Sequence, residues 1–135
     1  MMRIKEIKAS DTWQIRHEVM WPNQPFEFVQ LAEDDSGLHF GVFIEEKLIS
    51  IVSCFITDNE MQFRKFATLN DHQGEGVGSE LLEYIIQLAR NKKLKRVWSN
   101  ARTNKIPFYE KFGMKDTFQT FNKLGQEYTI MEICL

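Results

Sequence analysis

Residues 68–89, TLNDHQGEGVGSELLEYIIQLA, run from the end of an apolar strand pattern into an amphipathic helix pattern. Three glycines at alternate positions, Gly74, Gly76 and Gly78, sit at the junction. Glycine weakens both strands and helix interiors. Giving up side chains at the start of a strong helix therefore commits the backbone to unusual φ values or to close approach by another group. The first-turn amides of a helix have no intrahelical acceptors, and the helix dipole adds positive potential there. A glycine-rich turn can aim several of these amides at one point, forming a nest for phosphate or diphosphate that needs no lysine. Ser79 can add a hydroxyl donor. The spacing argues against two familiar loops. A nucleotide-hydrolase loop requires a Lys after its last glycine, and none follows here. A dinucleotide loop requires a glycine where Ser79 stands, near the first strand rather than mid-chain. A purely structural glycine turn remains as the competing reading.

The rest of the chain is read from periodicity and punctuation. Residues 3–8 place apolar residues among charges and read as a short edge strand. Ser10-Asp11 caps a helix carrying Trp13, Ile15, Val19 and Met20, which Pro22 and Pro25 bring to a stop. The stretch to Gly37, with its acidic cluster Glu33-Asp34-Asp35, reads as a solvated connector, loop or short helix. Residues 38–44, 48–56 and 61–69 are apolar runs parted by short polar turns, the pattern of an antiparallel meander. After the glycines, Val77, Leu81, Leu82, Ile85, Ile86 and Leu88-Ala89 share one helix face, and Glu80, Glu83, Gln87 and Arg90 the other. A strand over 95–99 completes a βαβ unit whose two strands are expected to be parallel neighbours. A short helix over 106–112 tolerates Pro107 in its first turn and ends at Gly113; strands over 115–121 and 127–134 close the chain. The expected class is α+β with a mixed sheet.

Length and charge narrow the function classes. A chain of 135 residues, 43% hydrophobic, is one domain's worth and can bury a core. Its net charge of −2 gives no general field for nucleic acid or anionic membrane, so neither is expected as a partner and any anion site must be local. Cys54 and Cys134 lie in apolar runs and read as two buried free thiols; no Cys or His spacing suggests a metal. Residues 1–11 lack an apolar signal core, and no run approaches the ~20 residues that span a bilayer, so a cytoplasmic placement is expected.

Two stretches carry a family resemblance. Gln73-Gly74-Glu75-Gly76-Val77-Gly78 fits every fixed position of Q/R-x-x-G-x-G/A, the acetyl-CoA loop of the GCN5-related N-acetyltransferase (GNAT) superfamily. Asn100 to Met114, with Phe108-Tyr109-Glu110-Lys111 and Gly113, resembles that superfamily's later motif. The order of elements also matches, over nearly the whole chain. Arg16-His17-Glu18-Val19, Pro22-Asn23-Gln24-Pro25 and Gly37-Leu38-His39-Phe40-Gly41 look like a small bacterial branch of it.

The resemblance implies a single N-acetyltransferase domain over 1–135. Its sheet would be mostly antiparallel and flanked by helices, with the parallel βαβ unit at the acetyl-CoA loop. It implies direct transfer of acetyl from acetyl-CoA, a co-substrate, to a primary amine of a small molecule or protein. The diphosphate would lie on the amides of Gln73, Gly74, Glu75, Gly76, Val77 and Gly78, with Ser79 adding its hydroxyl. The pantetheine arm would pair like an added strand with Phe66, Ala67 and Thr68, where the strands near Phe66 and Trp98 part in the family. Asn100 and Asn104 would bond the arm's amides or the strand splay, and Phe108 would be a core ring or pack against the cofactor. Tyr109 matches the family's tyrosine that protonates the departing thiolate. For the base, Glu60, Glu18, His39 and bulk water all remain open, while His72 reads as a spectator. Glu75 departs from the basic or apolar residues common at its position and is expected to face solvent; Arg64, Arg102 and Lys105 could compensate it. Trp21, Phe26 and Phe28, with the C-terminal hairpin from Phe121 to Tyr128, are expected around the acceptor. A homodimer through the C-terminal strands is a further expectation. The alternative function is a non-enzymatic acyl-CoA-binding regulatory module.

Overall fold

Three two-residue turns set the strand order of this protein, described over residues 1–135 in a computed structural model. Glu45-Glu46 (φ +49° and +72°), Asp58-Asn59 (+54° and +63°) and Leu124-Gly125 (+50° and +80°) each hold two successive left-handed residues. That is the turn geometry whose twist matches the right-handed twist of the strands it joins. The first turn links β2 (Leu38–Ile44) to β3 (Lys47–Thr57), and the second links β3 to β4 (Glu60–Thr68). The third links β6 (Lys115–Lys123) to β7 (Gln126–Cys134). With β1 (Met2–Ile7) and β5 (Arg96–Arg102), the hydrogen-bonded order is β1-β2-β3-β4-β5-β7-β6. The meander, the edge position of β1 and the mixed sheet are as the sequence suggests.

The chain forms two compact units: Met1–Phe55 with Phe63–Ile85, and Ile56–Gln62 with Ile86–Leu135. In the first, β1 pairs antiparallel with β2 from Met2↔Ile44 to Ile7↔His39, and β2 with β3 from Leu38↔Cys54 to Ile44↔Lys47. β3 is buried from Ile49 to Cys54, both faces covered. Ile15, Ile51 and Ala67 form a core onto which Ile7, Val19, Met20, Leu48 and Leu69 pack. Ile15 closes α1 (Ala9–Ile15), and the chain continues as a π-helical turn over Arg16–Met20. The helix starts two residues earlier than a Ser10 cap suggests, with Lys8 as its N-cap. Asp11 sits in the first turn, and its carboxylate accepts the Lys8 N–H at 3.0 Å.

In the second unit, β4 and β5 are parallel over Glu60↔Arg96 to Gln62↔Trp98. β5 and β7 are antiparallel along Arg96↔Cys134 to Arg102↔Tyr128. Arg96 bridges Glu60 (3.1 Å) and Glu132 (2.6 Å), tying β4 and β7 across β5. A bulge between Asp116 and Thr120 breaks the β6–β7 register. α2 (Val77–Asn91), the helix after the glycines, belongs to the first unit up to Ile85 and to the second from Ile86; Leu81, Leu82, Ile85 and Ala89 are fully buried, each large side chain contributing about 1.5–3 kcal/mol. α3 (Ile106–Glu110) carries Pro107 in its first turn, and Gly113 follows with φ +89°. No helix is long and apolar enough to cross a membrane.

Two expectations are corrected. The acidic cluster is not a solvated connector: Asp34 is buried, because Arg16, itself fully buried, meets its carboxylate with both terminal nitrogens. Short 3₁₀ turns over Phe26–Val29 and Asp34–Ser36 shape this segment. Of the two thiols only Cys54 is buried; both are free, and Cys134, at the end of β7, is exposed.

Candidate active site

In the first unit the three glycines have two different physical reasons. Gly74 and Gly76 adopt φ +84° and +81°, values that L side chains rarely take, and a Cβ at either would meet nothing within 4 Å. Their faces are open to solvent. Gly78 is a packing glycine: a Cβ there would lie 3.3 Å from Phe66 Cζ and 3.5 Å from Thr68 Oγ1. The opening of α2 is thereby drawn down onto the end of β4.

Glu80 N–H donates to the Gly76 carbonyl at 3.1 Å, which makes Gly76 the N-cap of α2. The amides left without an intrahelical carbonyl are therefore those of Gly76, Val77, Gly78 and Ser79. The loop that presents them is pinned from behind. Gln73 Nε2 donates to the Thr68 carbonyl (3.0 Å) and to Asn70 Oδ1 (3.1 Å). His72 and Gln73 N–H donate to the carbonyls of Leu69 and Asn70, closing a 3₁₀ turn over Asn70–His72. Phe66, Ala67 and Thr68 end β4; Ser50 Oγ donates to the Ala67 carbonyl at 3.0 Å and lies 2.9 Å from Thr68 Oγ1. Phe66, Ala67, Thr68 and the loop residues Gln73 to Ser79 thus lie together in one unit.

Glu75 is exposed and also has a partner. His72 Nδ1 is 2.9 Å from its Oε1, the side chains being 26% and 52% exposed respectively. Arg64, a candidate compensating cation, is engaged by Glu33 instead.

Asn100, Asn104, Phe108 and Tyr109 lie in the second unit. Asn100 is exposed on β5 between buried Ser99 and Ala101, and Asn104 is exposed in the 3₁₀ turn over Thr103–Lys105. Phe108 packs edge-on against Tyr109 (5.2 Å between centroids) and tilted against Phe112 (5.2 Å). Tyr109 is buried at 9% exposure; burial pushes its phenol up to about 12, against a smaller opposite pull from Arg102. The phenol therefore keeps its proton at neutral pH.

The candidates for the base are mostly engaged elsewhere. Glu60 is paired with Arg96. His39 is buried between Ser53 Oγ (2.7 Å from Nδ1) and the Asp34 carbonyl (2.8 Å from Nε2). A carbonyl only accepts, so Nε2 carries the proton; the Ser53 hydroxyl then donates to Nδ1 while accepting from Arg16 Nη2 at 2.8 Å. His39 is a structural member of the Arg16–Asp34 network. Glu18 is exposed.

On the segment from Trp21 to Phe28, Trp21 meets Phe28 edge-on (5.3 Å) and His17 meets Phe26 (5.6 Å); Phe26 and Phe28 are 42% and 40% exposed. In the C-terminal hairpin Phe121 stacks on Tyr128 at 5.3 Å. No group of three or more His, Cys, Asp or Glu is placed to hold a metal ion.

Comparisons with known proteins agree on one family. The profile of the Acetyltransferase (GNAT) family matches residues 4–114. The Bacillus subtilis (strain 168) protein YitI, described as an uncharacterized N-acetyltransferase, is 31% identical over 134 residues, covering 93% of this chain and 90% of its own. Two solved structures share the fold. The ribosomal-protein-S18-alanine N-acetyltransferase of Escherichia coli has a TM-score of 0.83 at 17% identity, over 99% of this chain and 94% of its own. A GNAT family acetyltransferase from Elizabethkingia anophelis, with acetyl-CoA bound, has a TM-score of 0.80 at 17% identity, over 99% and 98%. The non-enzymatic alternative is not favoured by these relatives. With the family profile spanning most of the sequence and the glycine loop opening α2, the chain belongs to the acetyltransferase (GNAT) family and is an acetyl-CoA-dependent N-acetyltransferase.

Proposed function

We propose that residues 1–135 act as one acetyltransferase domain in which the orphan amides at the opening of α2 hold the diphosphate of acetyl-CoA. The observation that carries this reading is the loop itself. Gly74 and Gly76 are left-handed with open faces, and the helix ladder begins only at Glu80. Gln73, Gly74, Glu75, Gly76, Val77 and Gly78 supply the main chain, and Ser79 its hydroxyl. The pantetheine arm takes the last residues of β4, Phe66, Ala67 and Thr68, as a strand takes its neighbour. Asn100 and Asn104 meet its amides, and Phe108 its apolar length. The exposed state of both asparagines suits a hydrogen-bonding role.

The acceptor amine attacks the thioester carbonyl carbon. A C–N bond forms, the C–S bond breaks, and the electron pair leaves on sulfur. A main-chain N–H near Phe66 or Ala67 stabilises the transient oxyanion, an effect worth about 3 kcal/mol per donor in comparable sites. Tyr109 gives its proton to the thiolate, and its burial keeps that proton in place. The proton lost by the amine passes to water or to exposed Glu18, since Glu60 and His39 are held in structural contacts. The acceptor is a primary amine of a small molecule or protein whose apolar part meets Trp21, Phe26 and Phe28; two of these rings are more than a third exposed. A homodimer and a cytoplasmic setting complete the proposal, the latter supported by two cysteines that are both free.

An amine screen with purified protein and acetyl-CoA, read as free thiol, tests the proposal. The expected result is thiol release that depends on the amine added. Tight CoA binding with no turnover on any amine would instead make the chain a binding module.

A further inference from the structure

Between Lys65 and Arg90 the chain has no lysine or arginine, while Asp71, Glu75, Glu80 and Glu83 bring four carboxylates. A loop that holds a diphosphate works against this charge. Arg64, the next cation before Lys65, is engaged by Glu33, and Arg90 lies in the last turn of α2. One group within the span can be positive: His72. It ends the 3₁₀ turn over Asn70–His72, and its Nδ1 lies 2.9 Å from Glu75 Oε1, so the pair brackets Gly74. Asp71, Glu80 and Glu83 are exposed and are common to every variant compared below.

Two states of the pair differ in what a diphosphate meets. With a neutral imidazole, Nδ1–H donates to Glu75 and the pair carries one negative charge within the glycine loop. With imidazolium, the pair is neutral, and Nε2–H is left as a charged donor. We infer that His72 is the cation of the cofactor loop: protonated, it cancels Glu75 and tightens the grip on the diphosphate, so cofactor affinity depends on pH through this one residue. The inference rests on the diphosphate reading of the loop proposed above. Its sign follows from linkage. Binding favours the protonated form, so a proton is taken up on binding and affinity falls as the pH rises. With a single proton involved, the loss is no steeper than about tenfold per pH unit.

The probe is dephospho-CoA, which lacks the 3′-phosphate whose own second ionisation, near pH ~6, would mask the effect. Calorimetric titration of the wild type between about pH 5.5 and pH 8 is expected to show affinity falling by about tenfold. The heat should depend on the buffer's ionisation enthalpy in the sense of proton uptake, a readout that needs no variant. His72→Gln should bind weakly with no pH dependence, His72→Lys tightly with none, and Glu75→Gln more tightly than wild type at the alkaline end. Wild-type affinity that is flat with pH, or a pH dependence that survives in His72→Gln, overturns the role of His72 and leaves the loop reading standing. Undiminished binding by Gly76→Val removes the loop reading itself, and the two failures are therefore distinguishable.

Discussion

Arg16 and Asp34, eighteen residues apart, meet as a buried two-pronged ion pair: Nη1 to Oδ2 at 2.9 Å and Nη2 to Oδ1 at 3.0 Å. The Trp13 indole and the Leu31 amide also donate to Oδ2, each at 3.0 Å. Arg16 reaches on to the Val29 carbonyl (2.9 Å) and to Ser53, so one guanidinium ties the first helix, the connector and β3 together. Removing one partner leaves the other charge buried and unpaired. Asp34→Ala is expected to cost about 3–5 kcal/mol, measured by denaturant unfolding. A loss within about 0.5 kcal/mol, as for a surface site, would contradict the burial of the pair.

The same carboxylate sets an acid limit. Burial pushes the Asp34 pKa up, but the hydrogen bonds from Arg16, Leu31 and Trp13 outweigh it and hold the carboxyl below its ordinary value of 3.8. A group depressed in the folded state stabilises the fold above its unfolded pKa and loses that contribution as the pH falls through the folded one. Unfolding free energy should therefore drop on acidification below about pH 4, and Asp34→Asn should flatten that part of the profile. An unchanged acid limb in the variant would assign the drop to other carboxylates.

Tyr109→Phe should lower turnover by about ten- to a thousandfold while CoA affinity stays near that of the wild type. Because burial lifts the phenol to about 12, no ionisation of Tyr109 should shape the turnover profile near neutral pH. Steady-state kinetics with an accepted amine, paired with a CoA titration, separates the two effects. Unchanged turnover removes Tyr109 from the chemistry.

Gly76→Val should abolish cofactor binding while the chain still folds, at a stability cost of about 1–2 kcal/mol. A Cβ there has open space, so the penalty comes from a β-branched residue at φ +81° distorting the loop. Retained binding would place the diphosphate elsewhere.

The native chain should react with one equivalent of a thiol reagent at Cys134 and release the second only on unfolding. Cys54 is buried, and burial pushes its thiol far up, away from the reactive thiolate. Two equivalents reacting rapidly in the folded protein would contradict this.

Features that depend on near neighbours are legible in the sequence. Glu45-Glu46 and Asp58-Asn59 lie between apolar runs, and the turn there follows from local polarity. The face of α2 follows from its period, and Gly113 from the need for a left-handed residue after α3. The glycine loop is visible because glycines are costly at a helix start, though not that Gly78 serves packing against Phe66 while its two neighbours serve conformation. The pairing of Asp34 with Arg16 is invisible: nothing local marks which of Glu33, Asp34 and Asp35 turns inward, and its partner comes from another element. For the same reason the sequence presents His72 as a spectator beside a solvated acid, and the clasp on Glu75 emerges only in three dimensions. The apolar run around Cys134 suggests burial, yet Cys134 is the last residue of β7 and is exposed. The bulge between Asp116 and Thr120, which leaves Phe118 81% exposed at φ +63°, has no signature in the residues themselves.

The most direct measurement is an amide NMR titration of the folded chain with CoA. The largest shifts are expected at the main-chain N–H groups of residues 74–79, the donors that open α2, at the same CoA concentrations that saturate the rest of the response. Saturable binding that leaves those amides unmoved while others shift would contradict the central claim.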